Sequence, residues 1–190
     1  VRIIAGEFRS RRLLPPESDT TRPITDRAKQ SLFDILTPYL SGAVVYDCFA
    51  GTGSMGLESL SRGCRRALFF ERDRSALQRL KQNIAALAVA DCSEVISQDL
   101  FAWFAINPAA AATAEVVFFD PPYRFLRERA ADVQQAMGAI ARGHLSPGGL
   151  LVFRHDARDA LACPALRQVE LRDYGEMRIE LLTPAGGGAA

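Results

Sequence analysis

Lysine is almost missing from this chain. Of its 23 basic residues only Lys29 and Lys81 carry an amine, so nearly all positive charge is guanidinium, a bias that says little about function by itself. Histidine is as scarce, at His144 and His155, and the four cysteines (Cys48, Cys64, Cys92 and Cys163) are widely spaced with no CxxC pair. Those absences exclude zinc-site spacing and a recognisable nucleophile motif, so the cysteines read as buried reduced thiols and no metal is expected. No apolar stretch approaches the roughly 18 residues of a membrane span. The opening "VRIIAGEFRSRRLL" lacks the apolar region of a signal peptide. The expectation is a cytoplasmic protein with no membrane partner.

What is present describes an ordinary globular chain: 190 residues, 48% hydrophobic and 24% charged, enough for one main domain with a substantial core. The net charge of +1 is unevenly spread. Arg2, Arg9, Arg11, Arg12, Arg22, Arg27 and Lys29 crowd the first thirty residues against Glu7, Glu17, Asp19 and Asp26. Local basicity of this kind can bind phosphates, although a solvated surface explains a few extra arginines equally simply.

Residues 1–24 read as a small appendage in which "VRIIAGEF" and "SRRLLP" form a β-hairpin, followed by the turn-rich "PPESDTTRP". Thr25 is a plausible N-cap for a helix from Asp26 to about Leu36, with Pro38 just beyond. From Val44 the pattern alternates. "VVYDCF", "RALFFE", "SEVISQD", "AEVVFFD" and "GGLLVFRH" are predicted strands, separated by helices at "SMGLESLSR", "DRSALQRLKQNIAALA", "LFAWFAI" and "FLRERAADVQQAMGAIARG". Two further strands flank a turn at Tyr174 and Gly175. Continuous apolar strands between helices predict a doubly wound, mostly parallel, seven-stranded Rossmann-like α/β sheet over 25–184, with a disordered tail at 185–190. In such sheets ligands bind at the carboxyl ends of the strands.

"DCFAGTGSMG" places Gly51, Gly53 and Gly56 in GxGxxG spacing between a strand and a helix, where missing side chains let a ligand approach the backbone. Glu71 ends the next strand about twenty residues on, where a carboxylate can accept both hydroxyls of a ribose. The pair indicates an adenosine-containing cofactor. Asp47 helps choose among them, because its negative charge would oppose a pyrophosphate at the loop. S-adenosylmethionine (SAM) has no phosphate, and its ammonium can pair with an acid directly or through water. Asp99 can accept from the adenine amino group, or simply cap a helix. Phe49, between Asp47 and Gly51, and Arg72 and Leu100, next to Glu71 and Asp99, complete the expected cofactor set.

In "DPPY" the fourth strand ends on Asp120, while Pro121 and Pro122 restrict the next φ angles and remove two N–H donors. The Asp120 carboxylate and Pro121 carbonyl form a cluster of acceptors, suited to an exocyclic amino group whose lone pair is delocalised into a nucleobase ring. Accepting both N–H bonds favours a pyramidal nitrogen and aims its lone pair at a sulfonium methyl. Asp120 is also placed to take the surplus proton afterwards. Tyr123 offers a face on which an extruded base can stack. A strand merely terminated by prolines is the plainer alternative.

The order "DCFAGTGSMG", "FFERD", "QDL", "DPPY" and "LSPGGLLVF" resembles class I SAM-dependent methyltransferases acting on amino nitrogens. More narrowly, "RIIAGEFRSRRL", "TRPITDRAKQSLFDIL" and "DCFAGTGSMGLESLSRG" look like the bacterial family that methylates guanine N2 in small-subunit (16S) ribosomal RNA. The match is strong over residues 2 to about 125. The RPxTDR element, here Arg22, Pro23, Thr25, Asp26 and Arg27, is its most discriminating part. The resemblance implies SAM as cofactor, Asp120, Pro121, Pro122 and Tyr123 as the catalytic set, and an N-terminal segment that contacts RNA. The expected substrate contacts are Arg9, Arg11, Arg12, Arg22, Thr25, Asp26, Arg27 and Arg124. A monomer acting on ribosomal RNA, within a partly assembled 30S particle or before assembly, is expected. Alternatives are methylation of adenine N6 or cytosine N4 in DNA or another RNA, a nicotinamide-dependent oxidoreductase, and a non-catalytic RNA-binding factor on the same fold.

Overall fold

Short runs of consecutive apolar residues form the centre of the sheet. The computed structural model describes residues 1–17 and 24–186. Its strands are Val44–Cys48 (β1), Arg66–Phe70 (β2), Ser93–Ile96 (β3), Ala114–Phe119 (β4), Leu145–Asp156 (β5), Leu166–Tyr174 (β6) and Met177–Pro184 (β7). The helices are Asp26–Leu40 (α1), Ser54–Ser61 (α2), Arg74–Ala86 (α3), Leu100–Ile106 (α4), Phe125–Glu128 (α5) and Ala130–Gly143 (α6). The strand order is β3-β2-β1-β4-β5-β7-β6 in one seven-stranded sheet, the expected mostly parallel α/β architecture. Arg22 and Pro23, and the tail from 187 onward, lie outside the described residues. The chain divides into two compact units, Val1–Gln98 and Asp99–Ala190.

In the first unit β2 pairs in parallel with β1, from Val44↔Arg66 to Cys48↔Phe70, and with β3. Parallel neighbours need crossovers, supplied here by α2 and α3. Thr25 caps α1 as expected, its side chain accepting the Ala28 N–H at 3.2 Å. The helix does not stop at Leu36 but continues through Pro38 to Leu40. Pro38 falls in the last turn, where it removes one intrahelical bond, and the burial of Leu36 and Leu40 favours the extra turn.

The first fourteen residues fold back on themselves, but the two expected strands reduce to a single bridge, Arg2↔Arg12. Ile3, Ser10 and Leu13 donate to the Arg11, Ile3 and Val1 carbonyls across the fold-back, while other polar groups of the segment are satisfied elsewhere in the unit. Ile4 and Ala5 donate their N–H groups to Glu58 of α2 at 2.8 and 3.0 Å. Ser61 accepts from Phe8 N–H at 2.9 Å and donates to the Ala5 carbonyl at 2.6 Å. Asn83 of α3 accepts from Leu14 N–H at 2.8 Å. Gly6, at φ +84°, passes so close to α2 that a Cβ would lie 1.8 Å from the Ser61 carbonyl oxygen.

Glu58 and Lys29 form the centre of this junction. Glu58 is fully buried and Lys29 only 2% exposed. Their ion pair measures 3.0 Å, Arg62 adds a second cation at 2.8 Å, and Lys29 also donates to the Ser54 carbonyl at 3.0 Å. Lys29 is therefore no part of the basic surface that its place in the sequence suggested. Burial pushes the Glu58 carboxyl up, yet Lys29, the Ile4 N–H and Arg62 together carry it below its ordinary value.

In the second unit β4 and β5 are parallel, while β7 pairs antiparallel with both β5 and β6. The predicted helix from Phe125 breaks at Arg129 into α5 and α6. The turn signal "SPGG" falls inside β5 instead of before it. It acts there as an irregularity, since Ala114 pairs with Leu145 and Val116 already with Leu150. All four cysteines are free, but only Cys48 and Cys64 are buried; Cys92 and Cys163 are partly exposed. Among the described residues no helix is long and apolar enough to cross a membrane, and no side-chain cluster suits a metal ion.

Replacing Glu58 with Ala removes the partner of a buried ammonium and of two amides. Urea unfolding should show a loss of about 3–5 kcal/mol. Arg66→Ala, which breaks only the exposed pair with Glu94, should cost less than about 1 kcal/mol. The Glu58 contribution has a pH sign. Because the folded carboxyl sits below its ordinary 4.5, its stabilisation is present above that value and is lost as the pH falls through the folded one.

Candidate functional site

The loop from β1 to α2 is held open by backbone conformations that side chains resist. Gly51 and Gly53 have φ +56° and +84°, and Phe49 shares the left-handed region at +62°. For a non-glycine residue that conformation costs about 1–2 kcal/mol, so the surroundings must over-determine it. They do so with hydrogen bonds. Gly51 N–H donates to Glu71 Oε2 at 2.8 Å, and Asp73 N–H donates to Glu71 Oε1 at 2.7 Å. Ala50 N–H reaches the Phe70 carbonyl at 2.9 Å. From the other side Asn83 donates to the Thr52 carbonyl at 2.9 Å.

Burial pushes the Glu71 carboxyl up, and the N–H donors of Asp73, Gly51 and Arg72 only partly counter it, so it lies above its ordinary 4.5. Arg72 itself is exposed. A carboxylate has about four acceptor positions, which leaves Glu71 room for a hydroxyl beside these amides. Asp47, in the strand before the loop, faces the start of α2. It is 3% exposed and its Oδ2 accepts the Gly56 N–H at 2.8 Å, fixing the first turn of α2.

The three glycines of the motif have different neighbours. A Cβ on Gly53 would meet Leu80 at 2.5 Å and one on Gly56 would meet Phe69 at 2.3 Å, so these two serve close packing of the protein on itself. A Cβ on Gly51 would meet nothing within 4 Å. Gly51 is thus the one glycine of the three whose missing side chain leaves space for a ligand. With Glu71 half-buried beside it, the loop fits the adenosine-containing cofactor anticipated from the motif.

In the second unit Asp99 caps α4, its Oδ1 accepting the Ala102 N–H at 3.1 Å, the plainer of its two expected roles. Leu100 beside it is buried. Asp120 follows β4 directly, and the β4–β5 register explains its partner. Phe119 pairs with Phe153, so the next residues, Asp120 and Arg154, emerge side by side. Arg154 Nε lies 2.7 Å from Asp120 Oδ1, and its second nitrogen lies 2.5 Å from Oδ2. The Pro122 and Tyr123 carbonyls accept the N–H groups of Phe125 and Leu126 as the chain turns into α5. Among the described residues the Pro121 carbonyl accepts no hydrogen bond. Tyr123 is half-buried. Arg124 is exposed and lies 5.6 Å from the Phe125 ring centre.

The expected substrate contacts divide into engaged and open groups. Thr25 is the α1 cap, and Asp26 pairs with Arg2 at 2.8 Å. Arg11 donates to the Ala86 carbonyl at 2.7 Å. Arg9, Arg12 and Arg27 are exposed. Arg22 is outside the described residues.

Arg154 and Asn83 escaped the reading of the sequence. Arg154 carried a signal nonetheless, since sliding "VVFFD" against "LLVFR" as parallel neighbours sets the acid beside the arginine. Asn83 carried none, because a polar residue in a helix reads as exposed until the fold buries it.

Comparison with known proteins follows the same lines. The chain is 41% identical over 166 residues to the Haemophilus influenzae protein named ribosomal RNA small subunit methyltransferase D, covering 86% of this chain and 83% of that one. It is 39% identical over 124 residues to the Escherichia coli protein of the same name, covering 65% of this chain and spanning 61% of the relative's length. The solved structure of a hypothetical protein from Thermus thermophilus superposes with a TM-score of 0.79 at 30% identity, over 96% of this chain and 99% of that one. The model of one family, described as conserved hypothetical protein 95, matches residues 1–183. With nearly its whole length so matched, the chain belongs to that family.

Proposed function

We propose that this protein is a SAM-dependent methyltransferase that methylates the exocyclic N2 amino group of a guanine in small-subunit (16S) ribosomal RNA. The observation that carries the reading is the acceptor cluster after β4: an aspartate and a proline carbonyl that accepts no hydrogen bond among the described residues, in a chain whose relatives are named ribosomal RNA small subunit methyltransferase D. SAM, when bound, supplies an electrophilic methyl group. Asp47, Phe49, Gly51, Gly53, Glu71, Arg72, Asp99 and Leu100 would hold it, and Asp47 also keeps the loop in shape through Gly56.

The remaining chemistry belongs to the protein's own groups. A guanine amino nitrogen is a poor nucleophile because its lone pair is shared with the ring. Asp120 and the Pro121 carbonyl accept its two N–H bonds, favour a pyramidal nitrogen and stabilise positive charge developing there. Pro122 stiffens the turn that presents them. Tyr123 provides the stacking face for a base drawn out of its helix. Arg9, Arg12, Arg27 and Arg124 are exposed cations for RNA phosphates, with Arg11 and Arg22 assigned alongside them. Thr25 and Asp26 act by shaping the start of α1. The protein works as a cytoplasmic monomer, on naked RNA or on a partly assembled 30S particle.

Tritiated SAM offered with naked small-subunit RNA, partly assembled subunits and duplex DNA tests this directly. Label should appear in RNA as N2-methylguanosine; label confined to DNA, or on another nucleoside, overturns the reading. Asp120→Ala should lower transfer by about 10²-fold or more, with RNA binding unchanged in a filter assay.

Glu71 gives a pH test with a definite sign. Its ionised form accepts the cofactor hydroxyl, and its carboxyl is raised above 4.5 by burial. Cofactor affinity should therefore weaken on acidification sooner than an ordinary glutamate would allow. Calorimetric titration across about pH 5 to 8 should show that slope in the wild type and lose it, along with affinity, in Glu71→Gln.

A further inference from the structure

We propose that Arg154 is a positioning residue that aims the Asp120 carboxylate at the exocyclic amino group and so sets the preference for a base that carries one. This inference rests on the reading of Asp120 given above. Its basis is the geometry of one ion pair. The guanidinium grips both carboxylate oxygens at 2.7 and 2.5 Å, the bidentate arrangement that fixes orientation as well as distance. A lysine in its place could offer only a point charge.

The rest of the surroundings shows which partner is the support. The Arg154 side chain is 14% exposed and that of Asp120 27%, so the cation is the more buried member. A third contact, from the guanidinium to Met177 Sδ at 3.7 Å, ties it to β7. The next residue, His155, is fully buried, stacks on Phe153 with centroids 4.5 Å apart, and makes 2.8 Å contacts to the Asp156 carbonyl and Glu180 Oε1. The end of β5 is therefore held on several sides. A guanidinium anchored in this way is poorly placed to swing out to an RNA phosphate. Two of the roughly four acceptor positions on Asp120 are taken by the fork, and those that remain accept from the substrate.

A merely structural ion pair would influence melting temperature and little else. A positioning role predicts lost discrimination between guanine and inosine, which differ by the amino group alone. The probe is small-subunit RNA, ligated so that the methylated position carries one base or the other, with binding measured at equilibrium in the absence of cofactor. Wild type should favour guanine by about tenfold. Arg154→Gln should reduce that ratio to about one, and Arg154→Lys should restore part of it, to about threefold. SAM binding and the melting temperature of the lysine variant serve as controls.

A full tenfold preference in Arg154→Gln overturns the proposal. If that variant does not fold, a full preference in Arg154→Lys overturns it equally. Asp120→Ala separates the two levels. If it leaves the ratio unchanged, or if wild type shows no preference, the assignment of Asp120 has failed and this inference fails with it. If Asp120→Ala abolishes the ratio while the Arg154 variants keep it, only the role of Arg154 is refuted.

Discussion

A single buried carboxylate organises the first half of the molecule. Glu58 receives Lys29, Arg62 and two main-chain amides of the N-terminal segment, with no water-exposed surface of its own. Burying two charges is expensive, and such a pair is weak evidence for net stability. Its effect here is specificity of position. Lys29 also reaches the Ser54 carbonyl, so one ammonium links α1 to the first turn of α2, where the glycine loop ends. The ends of α1 and α2 and the N-terminal segment cannot be varied independently while that charge pair is intact.

The glycine loop shows the same division between scaffold and opening. Glu71, Asp47 and Asn83 each spend hydrogen-bonding capacity on the loop backbone. That expenditure holds Phe49 and Gly51 in conformations they would not keep alone. Preorganised groups of this kind need little rearrangement when a ligand arrives. The acids Glu71 and Asp47, read from the sequence as ligand contacts, are thus loop supports as well.

The parts of this structure that were readable in advance are those governed by local pattern. The strands "VVYDC", "RALFF" and "AEVVFF" announce themselves by apolar runs, Thr25 by its capping position, and "DPPY" by residues that can do little else at the end of a strand. What escaped depends on packing between distant segments. The two strands expected near the N-terminus shrink to one bridge, with the Ile4, Ala5 and Phe8 amides bonded to Glu58 and Ser61, more than fifty residues away. Helix α1 outruns Pro38 because Leu40 has a core to enter. The packing role of Gly53 and Gly56 escaped as well, since the Leu80 and Phe69 side chains that crowd them belong to other elements.

The docking of residues 1–14 bears on how this fold can be recombined. Only glycine fits at position 6, because the Ser61 carbonyl lies against it, and the amides of Ile4, Ala5, Phe8 and Leu14 end on Glu58, Ser61 and Asn83. The N-terminal segment is therefore not a tag that can be exchanged freely among relatives. A chimera that replaces it must import the matching surface of α2 and α3 together with it, so the transplantable unit is discontinuous in sequence though contiguous in space.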